Sequence, residues 1–337
     1  MLLVDSRDAP WVRIGESLAP AARRLFEDMR LWDEFQGESH APCNGVCSVW
    51  GTPEPAMNDG LRDLDGPGWH LDRLRFDDWL RRVAVRRGAA LLIPARPGHI
   101  VRDGDRWQLD LVIGDRRVPV RARMLVDAAG RGSTVARGLG ARRMVQDRLV
   151  CGWLHGDELP GRQSGLTHIE AEPDGWWYTA PLPGLRRVVA FYTDSDLPAA
   201  DIAAHRDGLL RCLSDRGSLA TVLAGSGFAA SATGGFCAAH GSVLMPAADD
   251  GWLSVGDAAM SFDPLSSQGL FNSLYTGLAA AEAADRYLGG DDGAPGGYRR
   301  MLVSVWTAYR THLHAWYGLE RRWAERPFWK RRLEALG

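Results

Sequence analysis

A chain of 337 residues is long enough for one large or two ordinary domains with a sizeable core. A formal charge of −2 and a pI near 6.5 offer no global attraction for phosphate backbones or anionic lipid, and no local basic patch substitutes for it, so neither nucleic acid nor a membrane surface is an expected partner. Apolar runs too short and too interrupted to span a bilayer, and an N-terminus without a basic-then-apolar segment, predict a cytoplasmic protein.

The five cysteines, Cys43, Cys47, Cys151, Cys212 and Cys237, form an odd set with no CxxC pair, which argues against a disulfide framework and against a zinc site. They are read as reduced, and the Cys43/Cys47 spacing as packing, because no basic neighbour lowers a thiol pKa there. Lys330 is the single lysine among 40 basic residues.

Leu2–Val4 reads as a short buried strand ending in an acid, Asp5. In a dinucleotide-binding βαβ unit such an acid ends the second strand and binds the adenosine ribose. A first strand, Gly-x-Gly-x-x-Gly turn and helix, about 30 residues, would precede it; the expectation is a chain that starts after them. Trp11 to Leu18 follows, with Arg13-Ile14-Gly15-Glu16-Ser17 at its centre. Trp69 to Asp77 opens an amphipathic helix with Phe76, Leu80, Val83 and Ala84 at helical spacing, ended by Gly88. A strand at Ala90 to Ile93 comes next, then a meander over Ile100 to Val120 turning at Asp103-Gly104 and Gly114-Asp115. The strand before Asp127 runs into Ala128-Ala129-Gly130-Arg131-Gly132-Ser133, a Gly-x-Gly turn without the third glycine of a dinucleotide fingerprint.

Residues 150 to 245 carry strand-like runs at Val150–Leu154, Leu166–Ala171, Trp176–Ala180 and Arg187–Thr193, which predict an antiparallel sheet. Gly251 to Leu270 then passes from an apolar strand through Gly256-Asp257 and Asp263-Pro264-Leu265-Ser266-Ser267-Gln268-Gly269 into a helix. Strand, turn and helix N-terminus in that order aim backbone N–H groups and a positive dipole end at an electron-rich group. Leu270, Leu274, Leu278 and Ala281 predict the buried stripe of that helix. A last helix, from about Tyr298 to Trp323, carries Trp306, Tyr309, Trp316 and Tyr317 as core or interface aromatics.

Taken together and in this order, Ile14-Gly15-Glu16-Ser17, Asp127-Ala128-Ala129-Gly130-Arg131, Gly256-Asp257 and Asp263 to Gly269 resemble FAD-dependent monooxygenases and tryptophan-halogenase-like flavoproteins of the para-hydroxybenzoate-hydroxylase-type fold. The resemblance covers nearly the whole chain and is strongest to the maturation monooxygenases of tryptophylquinone enzymes. It implies a mixed α/β (α+β) fold. A Rossmann-like FAD-binding domain lacking its first βα unit would comprise 1–40, 70–148 and 250–290. An antiparallel-sheet substrate domain would comprise 41–69 and 149–249, and a C-terminal helical segment 291–337. The implied cofactor is FAD, with NAD(P)H or a separate reductase as electron donor. Cofactor contacts are expected from Asp5, Arg13, Arg73, Gly130, Arg131, Gly256, Asp257, Pro264, Ser267, Gln268, Gly269 and Leu270; for Arg73 a solvated helix-start arginine is the alternative.

The implied reaction is hydroxylation of an electron-rich aromatic substrate, a small molecule or a peptidyl tryptophan, through a flavin C4a-hydroperoxide. Halogenases of the family use a lysine in the substrate domain and a Trp-x-Trp-x-Ile-Pro element; Lys330 is misplaced, and Trp176-Trp177-Tyr178-Thr179-Ala180-Pro181 departs from that element. Prenyl reductases, with Tyr-x-Trp-x-Phe-Pro, lack the Asp-Pro-Leu-Ser-Ser-Gln-Gly string. Both are disfavoured. A non-catalytic remnant that binds a partner is the remaining alternative. His155, His168 and His240 lie in or beside the sheet expected to roof the flavin, none with an assigned role, and Trp176, Trp177 and Tyr178 either line the substrate site or pack the sheet.

Overall fold

The strand-forming runs of the middle of the chain assemble into one seven-stranded sheet, the roof. A computed structural model describes residues 1–59, 65–214 and 217–334, so parts of the 41–69 and 149–249 segments and the end of 291–337 lie outside the described residues. The strand order is Ala229–Ala238, Leu149–Asp157, Arg186–Asp194, Gly175–Leu182, Leu166–Glu172, Gly45–Val49 and Ala56–Asp59. All four predicted strands are present. The sheet is mixed rather than antiparallel throughout, because Leu166–Glu172 pairs parallel with Gly45–Val49, a strand from before the long excursion through residues 70–148.

Period-two alternation gives the roof two different faces. Leu154, Trp177, Val189 and Phe191 pack against three helices, Pro198–Ala204, Arg206–Ser214 and Gly217–Ser226. These helices and the strand Ala229–Ala238 are additions to the predicted set; their short Ala-, Gly- and Ser-rich segments carry little periodic signal. Cys151, Trp153, Trp176, Tyr178 and Tyr192 point the other way, into a cluster closed by Tyr317, Phe328 and Trp329 from the C-terminus and flanked by Ile14 and Leu265. Trp176 and Tyr192 stack there with ring centroids 4.0 Å apart.

Beneath the roof lie two short parallel pairings of the dinucleotide-fold kind. Leu2–Val4 pairs with Ala90–Leu92, and Leu125–Asp127 with Trp252–Ser254. The meander is as predicted, with strands Arg96–Asp103, Arg106–Ile113 and Arg116–Ala122. Trp69 and His70 belong to a strand, Gly68–His70, and the helix begins only at Arg73, because the Asp72 side chain accepts from the Arg75 amide and caps it there.

Two helix expectations are corrected. The helix Gly269–Leu288 buries Asn272, Thr276, Ala280 and Ala283 rather than the predicted leucine stripe. Its inward face is polar and small because it must accept the Gly256 amide, which donates to Thr276 Oγ1 at 2.8 Å. The last predicted helix runs from Ala294 to Leu319, with Tyr309 and Tyr317 buried and Trp316 52% exposed, and a further helix, Pro327–Glu334, follows it.

Candidate functional site

The segment after Trp252–Ser254 forms two 3₁₀ turns, Gly256–Ala258 and Pro264–Ser266, before the long helix. Gly256 has φ +52°, and a Cβ there would sit 2.9 Å from Ser273 Oγ, so the turn must pass this close to the helix and needs glycine. Ser267 takes up φ +50° without being glycine, an outlier of the kind stored at binding turns. The helix that follows has no side-chain cap, and among the described residues the amides of Gly269 and Leu270 have no hydrogen-bond partner. Nothing lies within 4 Å of a Cβ built on Gly269. Free amides at the positive end of a 20-residue helix, beside open space, are a fixed donor set for an electron-rich carbonyl.

Asp263 organises this turn from inside the protein. Its Oδ1 accepts from the Leu265 amide at 2.9 Å, its Oδ2 accepts from the Tyr317 hydroxyl at 2.8 Å, and its own amide donates to Tyr309 Oη at 2.7 Å. Burial, reinforced by Asp147, pushes the carboxyl up to about 7. The folded protein therefore binds more protons than the unfolded chain between about pH 4 and 7, and this group makes the fold less stable as pH rises through that window, with no further change above it. From the ordinary 3.8 to about 7 is about three pH units at about 1.4 kcal/mol each, so the contribution reaches up to about 4 kcal/mol. Asp263→Asn is expected to stabilise the protein at pH 8 relative to the parent by more than it does at pH 5, measured by denaturant unfolding; an equal difference at both pH values would overturn the assignment.

Gly130 to Gly132 forms a third 3₁₀ turn, with Gly130 at φ +65° facing open space and Ser133 at φ +42°. Asp127 is consumed locally, accepting from the amides of Ala129 and Ala136 at 2.9 and 2.8 Å. Arg131 bridges the turn to the Asp263 side. It donates to the His240 carbonyl, to Ser261 Oγ at 2.9 Å and to the Phe262 carbonyl at 3.4 Å, and its Nε lies 3.7 Å from Asp257 Oδ2. The Asp257 carboxylate is otherwise unoccupied among the described residues, with its side chain 38% exposed, while Arg143 holds its backbone carbonyl at 2.9 Å. Beside this turn a cleft of about 890 Å³ opens between Gly132, Thr134, Arg137, Arg142 and Arg143.

The predicted N-terminal contacts are assembled differently. Arg13 and Arg73 converge on Asp77, Arg73 also donates to the Gly15 carbonyl at 2.6 Å, and the buried Nε of each arginine has no hydrogen-bond partner among the described residues. Asp5 forms its own ion pair with Arg81 at 2.7 Å and accepts from the Arg7 amide. Its carboxylate is one-third exposed, which leaves an oxygen face open to solvent.

Two side chains outside the predicted contacts complete the site. Glu16, 2% exposed, accepts from the Gly15 amide at 2.8 Å and lies 3.2 Å from His155 Nε2. Next to it Ser17 Oγ meets Tyr178 Oη at 2.8 Å. This pairing ties the segment that carries Arg13 to the roof. The only sequence signal for it was the Glu16 of the Gly-Glu-Ser triplet, since its partner lies 139 residues away.

Of the three histidines only His155 faces inward. His168 pairs with Thr179 on the helix-covered face, where burial lowers its pKa to about 4. His240 contributes its carbonyl to Arg131, and burial and Arg131 favour its neutral ring. Trp176 and Tyr178 line the inner face, whereas Trp177 packs on the outer one against Phe191. Cys43 contacts Thr167, on the inner face, while Cys47 stands opposite His168 on the other. Among the described residues no cluster of metal-ligating side chains occurs, and no helix is long and apolar enough to cross a membrane.

The donor set suits FAD: amides for a ring carbonyl at Gly269 and Leu270, an exposed carboxylate at Asp257 for hydroxyls, glycine faces without side chains at Gly130 and Gly269, and a flanking guanidinium at Arg131.

No family model matches the chain. LodB of Marinomonas mediterranea, described as an FAD-dependent oxidoreductase, is 26% identical over 339 residues, covering 98% of this chain and 89% of that protein. The chondrochloren halogenase CndH, an FAD-dependent enzyme, superposes with a TM-score of 0.88 at 24% identity over 98% of this chain and 79% of its own. The flavin-dependent halogenase CmlS gives 0.86 at 21% identity over 97% of this chain, which spans only 62% of that enzyme. The peptidyl tryptophan dihydroxylase QhpG, essential for tryptophylquinone cofactor biogenesis, gives 0.69 at 22% identity, over 96% of this chain and 71% of its own. The fold is thus that of the FAD-binding halogenases and monooxygenases.

Proposed function

We propose that this chain, which is similar to an FAD-dependent oxidoreductase and shares the fold of the FAD-binding halogenases and monooxygenases, is an oxygenase that hydroxylates an electron-rich aromatic ring, and that the ring is the indole of a peptidyl tryptophan. The observation that carries this reading is the inner roof face. Trp153, Trp176, Tyr178 and Tyr192 stand there in one cluster with Leu265 of the free-amide turn and Ile14 of the Gly-Glu-Ser segment. Packed on Tyr317, Phe328 and Trp329, these rings form a rigid aromatic wall beside the turn that would seat the flavin ring, an apolar setting that suits a flat aromatic substrate.

Bound FAD, reduced by NAD(P)H or by a reductase, would supply the activation of dioxygen. The chain's own residues supply the rest. Gly269 and Leu270 would hold the ring carbonyl through their amides, where they would favour negative charge, Asp257 would hold hydroxyls, and the buried roof would exclude water. In the net reaction one oxygen atom enters a C–H bond of the substrate and the other leaves as water, with two electrons from the donor. His155, oriented by Glu16, is placed to take up the proton lost from the ring carbon. Halogenation is opposed by the position of Lys330, which is exposed beside Glu325 on the helix Pro327–Glu334, whose Phe328 and Trp329, not Lys330, are buried in the inner roof cluster.

The test is turnover with FAD, a reductant, isotopically labelled dioxygen and a tryptophan-bearing peptide, with and without bromide. One or two labelled oxygen atoms on the indole support the reading, and brominated peptide with no labelled product would replace it by halogenation. Glu16→Gln is expected to lower kcat roughly 100-fold while FAD is retained; unchanged kcat would remove His155 from the chemistry.

A further inference from the structure

Cys151 and Cys237 are left over from the site described above, and they are not independent of each other. They stand directly opposite one another on the antiparallel strands Leu149–Asp157 and Ala229–Ala238. Directly opposed residues point to the same face with Cα atoms about 4.5–5.5 Å apart, inside the range of about 4.4–6.8 Å that a disulfide spans. Closing a bond between them needs side-chain rotation and a local approach of the two strands, since directly opposed Cβ atoms stand about 4.5–5.5 Å apart and a disulfide holds them at about 3.5–4.5 Å. Both thiols are free, and they are register partners across the two strands.

Their surroundings differ in a way that divides the labour. Cys237 is partly exposed on the outermost strand of the roof, and the Cys151 thiol opposite it, aided by the Arg131 guanidinium, holds its thiol below the ordinary value despite burial. Cys151 is fully buried, which pushes its thiol well up, with the Tyr192 hydroxyl beside it. A reachable, more acidic sulfur backed by a protonated one in register is the arrangement of an attacking and a resolving cysteine. Cys47, by contrast, is raised by burial and by Glu170.

We propose that Cys237 and Cys151 form a peroxide-responsive dithiol in the roof sheet, closing to a cross-strand disulfide. The Cys237 thiolate attacks hydrogen peroxide and breaks its O–O bond, giving Cys237 sulfenic acid and hydroxide. The Cys151 sulfur then displaces the sulfenic hydroxyl, which leaves as water with the Cys151 proton. Two thiols are oxidised by two electrons, and one peroxide is reduced to two waters. The dithiol itself stands apart from the function proposed above. Only the source of peroxide rests on that reading, since a reduced flavin releases it from dioxygen when no substrate takes the oxygen. Arg131, which holds the His240 carbonyl three residues beyond Cys237 and flanks Asp257, links the pair to the flavin side.

In the first arm of the test, FAD-free protein receives one equivalent of hydrogen peroxide, is unfolded and alkylated in denaturant, and is mapped without reduction. The expected result is loss of two of the five alkylatable thiols, a Cys151–Cys237 linked peptide lighter by two hydrogens, and recovery with dithiothreitol. Cys151→Ser should stop at a Cys237 sulfenic acid that a cyclic dione traps. Cys237 left alkylatable while Cys43, Cys47 or Cys212 oxidises, or Cys237 carried to sulfinic acid with Cys151 still free, would overturn the proposal. In the second arm, FAD-loaded protein is reduced in air without substrate. A link formed in the first arm and not in the second keeps the dithiol and counts against the flavin reading.

Discussion

Replacing Asp257 with alanine is expected to yield a folded protein that loses its FAD on desalting. The carboxylate contributes nothing to the core: it is 38% exposed, and the Arg131 guanidinium is 3.7 Å away, beyond a hydrogen bond. The backbone of the turn is secured independently, by Arg143 on the Asp257 and Ala258 carbonyls at 2.9 and 2.7 Å and by Gly256 on Thr276. Removing the side chain therefore removes acceptor capacity and leaves the shape. Charge-assisted hydrogen bonds are worth about 1.5–3 kcal/mol, which corresponds to a loss of roughly 10- to 100-fold in affinity. Visible absorbance after desalting reads the effect, thermal melting of the FAD-free forms should coincide, and Asp257→Asn should retain an intermediate amount. A stoichiometrically flavinated Asp257→Ala protein would remove this residue from the cofactor site.

What could be read from the sequence and what could not divide by the range of the interaction. The turn from Gly256 to Gly269 was legible because its constraints are local: a glycine forced by Ser273, a proline opening a 3₁₀ turn, and helix amides that follow directly. The roof strands were legible from alternation. Their partners were not, because nothing in Leu166–Glu172 indicates a parallel neighbour at Gly45–Val49. The roles of Arg13 and Arg73 illustrate the same limit. Their motif suggested a flavin contact, and the structure adds a shared pairing on Asp77, four residues after Arg73, which the sequence offered without marking it. The Gly269–Leu288 helix was misread in its face for a related reason. Leucines normally mark the buried stripe, but here the tightest contact is the Gly256 turn, so small and polar side chains face inward and Leu270 and Leu274 flank a different cluster.

The roof itself supplies the second large effect, in Gly152. A Cβ at this position would lie 1.9 Å from the carbonyl oxygen of Ala203 and 2.6 Å from its carbonyl carbon. Relief by side-chain rotation is ruled out, since the clash is with backbone, and neither partner can withdraw. The strand carrying Gly152 is hydrogen-bonded on both sides, to Arg186–Asp194 and to Ala229–Ala238, while the helix Pro198–Ala204 is held down by buried Ala199, Ala200 and Ala203 against Leu154 and Phe191. Gly152→Ala is expected to cost at least about 3 kcal/mol, lowering Tm by at least about 4 °C for a chain of this size. Gly277→Ala is the control. It lies in the interior of the Gly269–Leu288 helix with nothing within 4 Å of a new Cβ, and should stabilise by about 0.5–1 kcal/mol. Because Cys151 and Trp153 flank Gly152 and point into the inner face, a Gly152→Ala protein that still folds should also show altered flavin fluorescence. Melting of Gly152→Ala at the parent temperature would mean that the helix can lift from the sheet, and the rigidity on which the aromatic roof depends would have to be sought elsewhere.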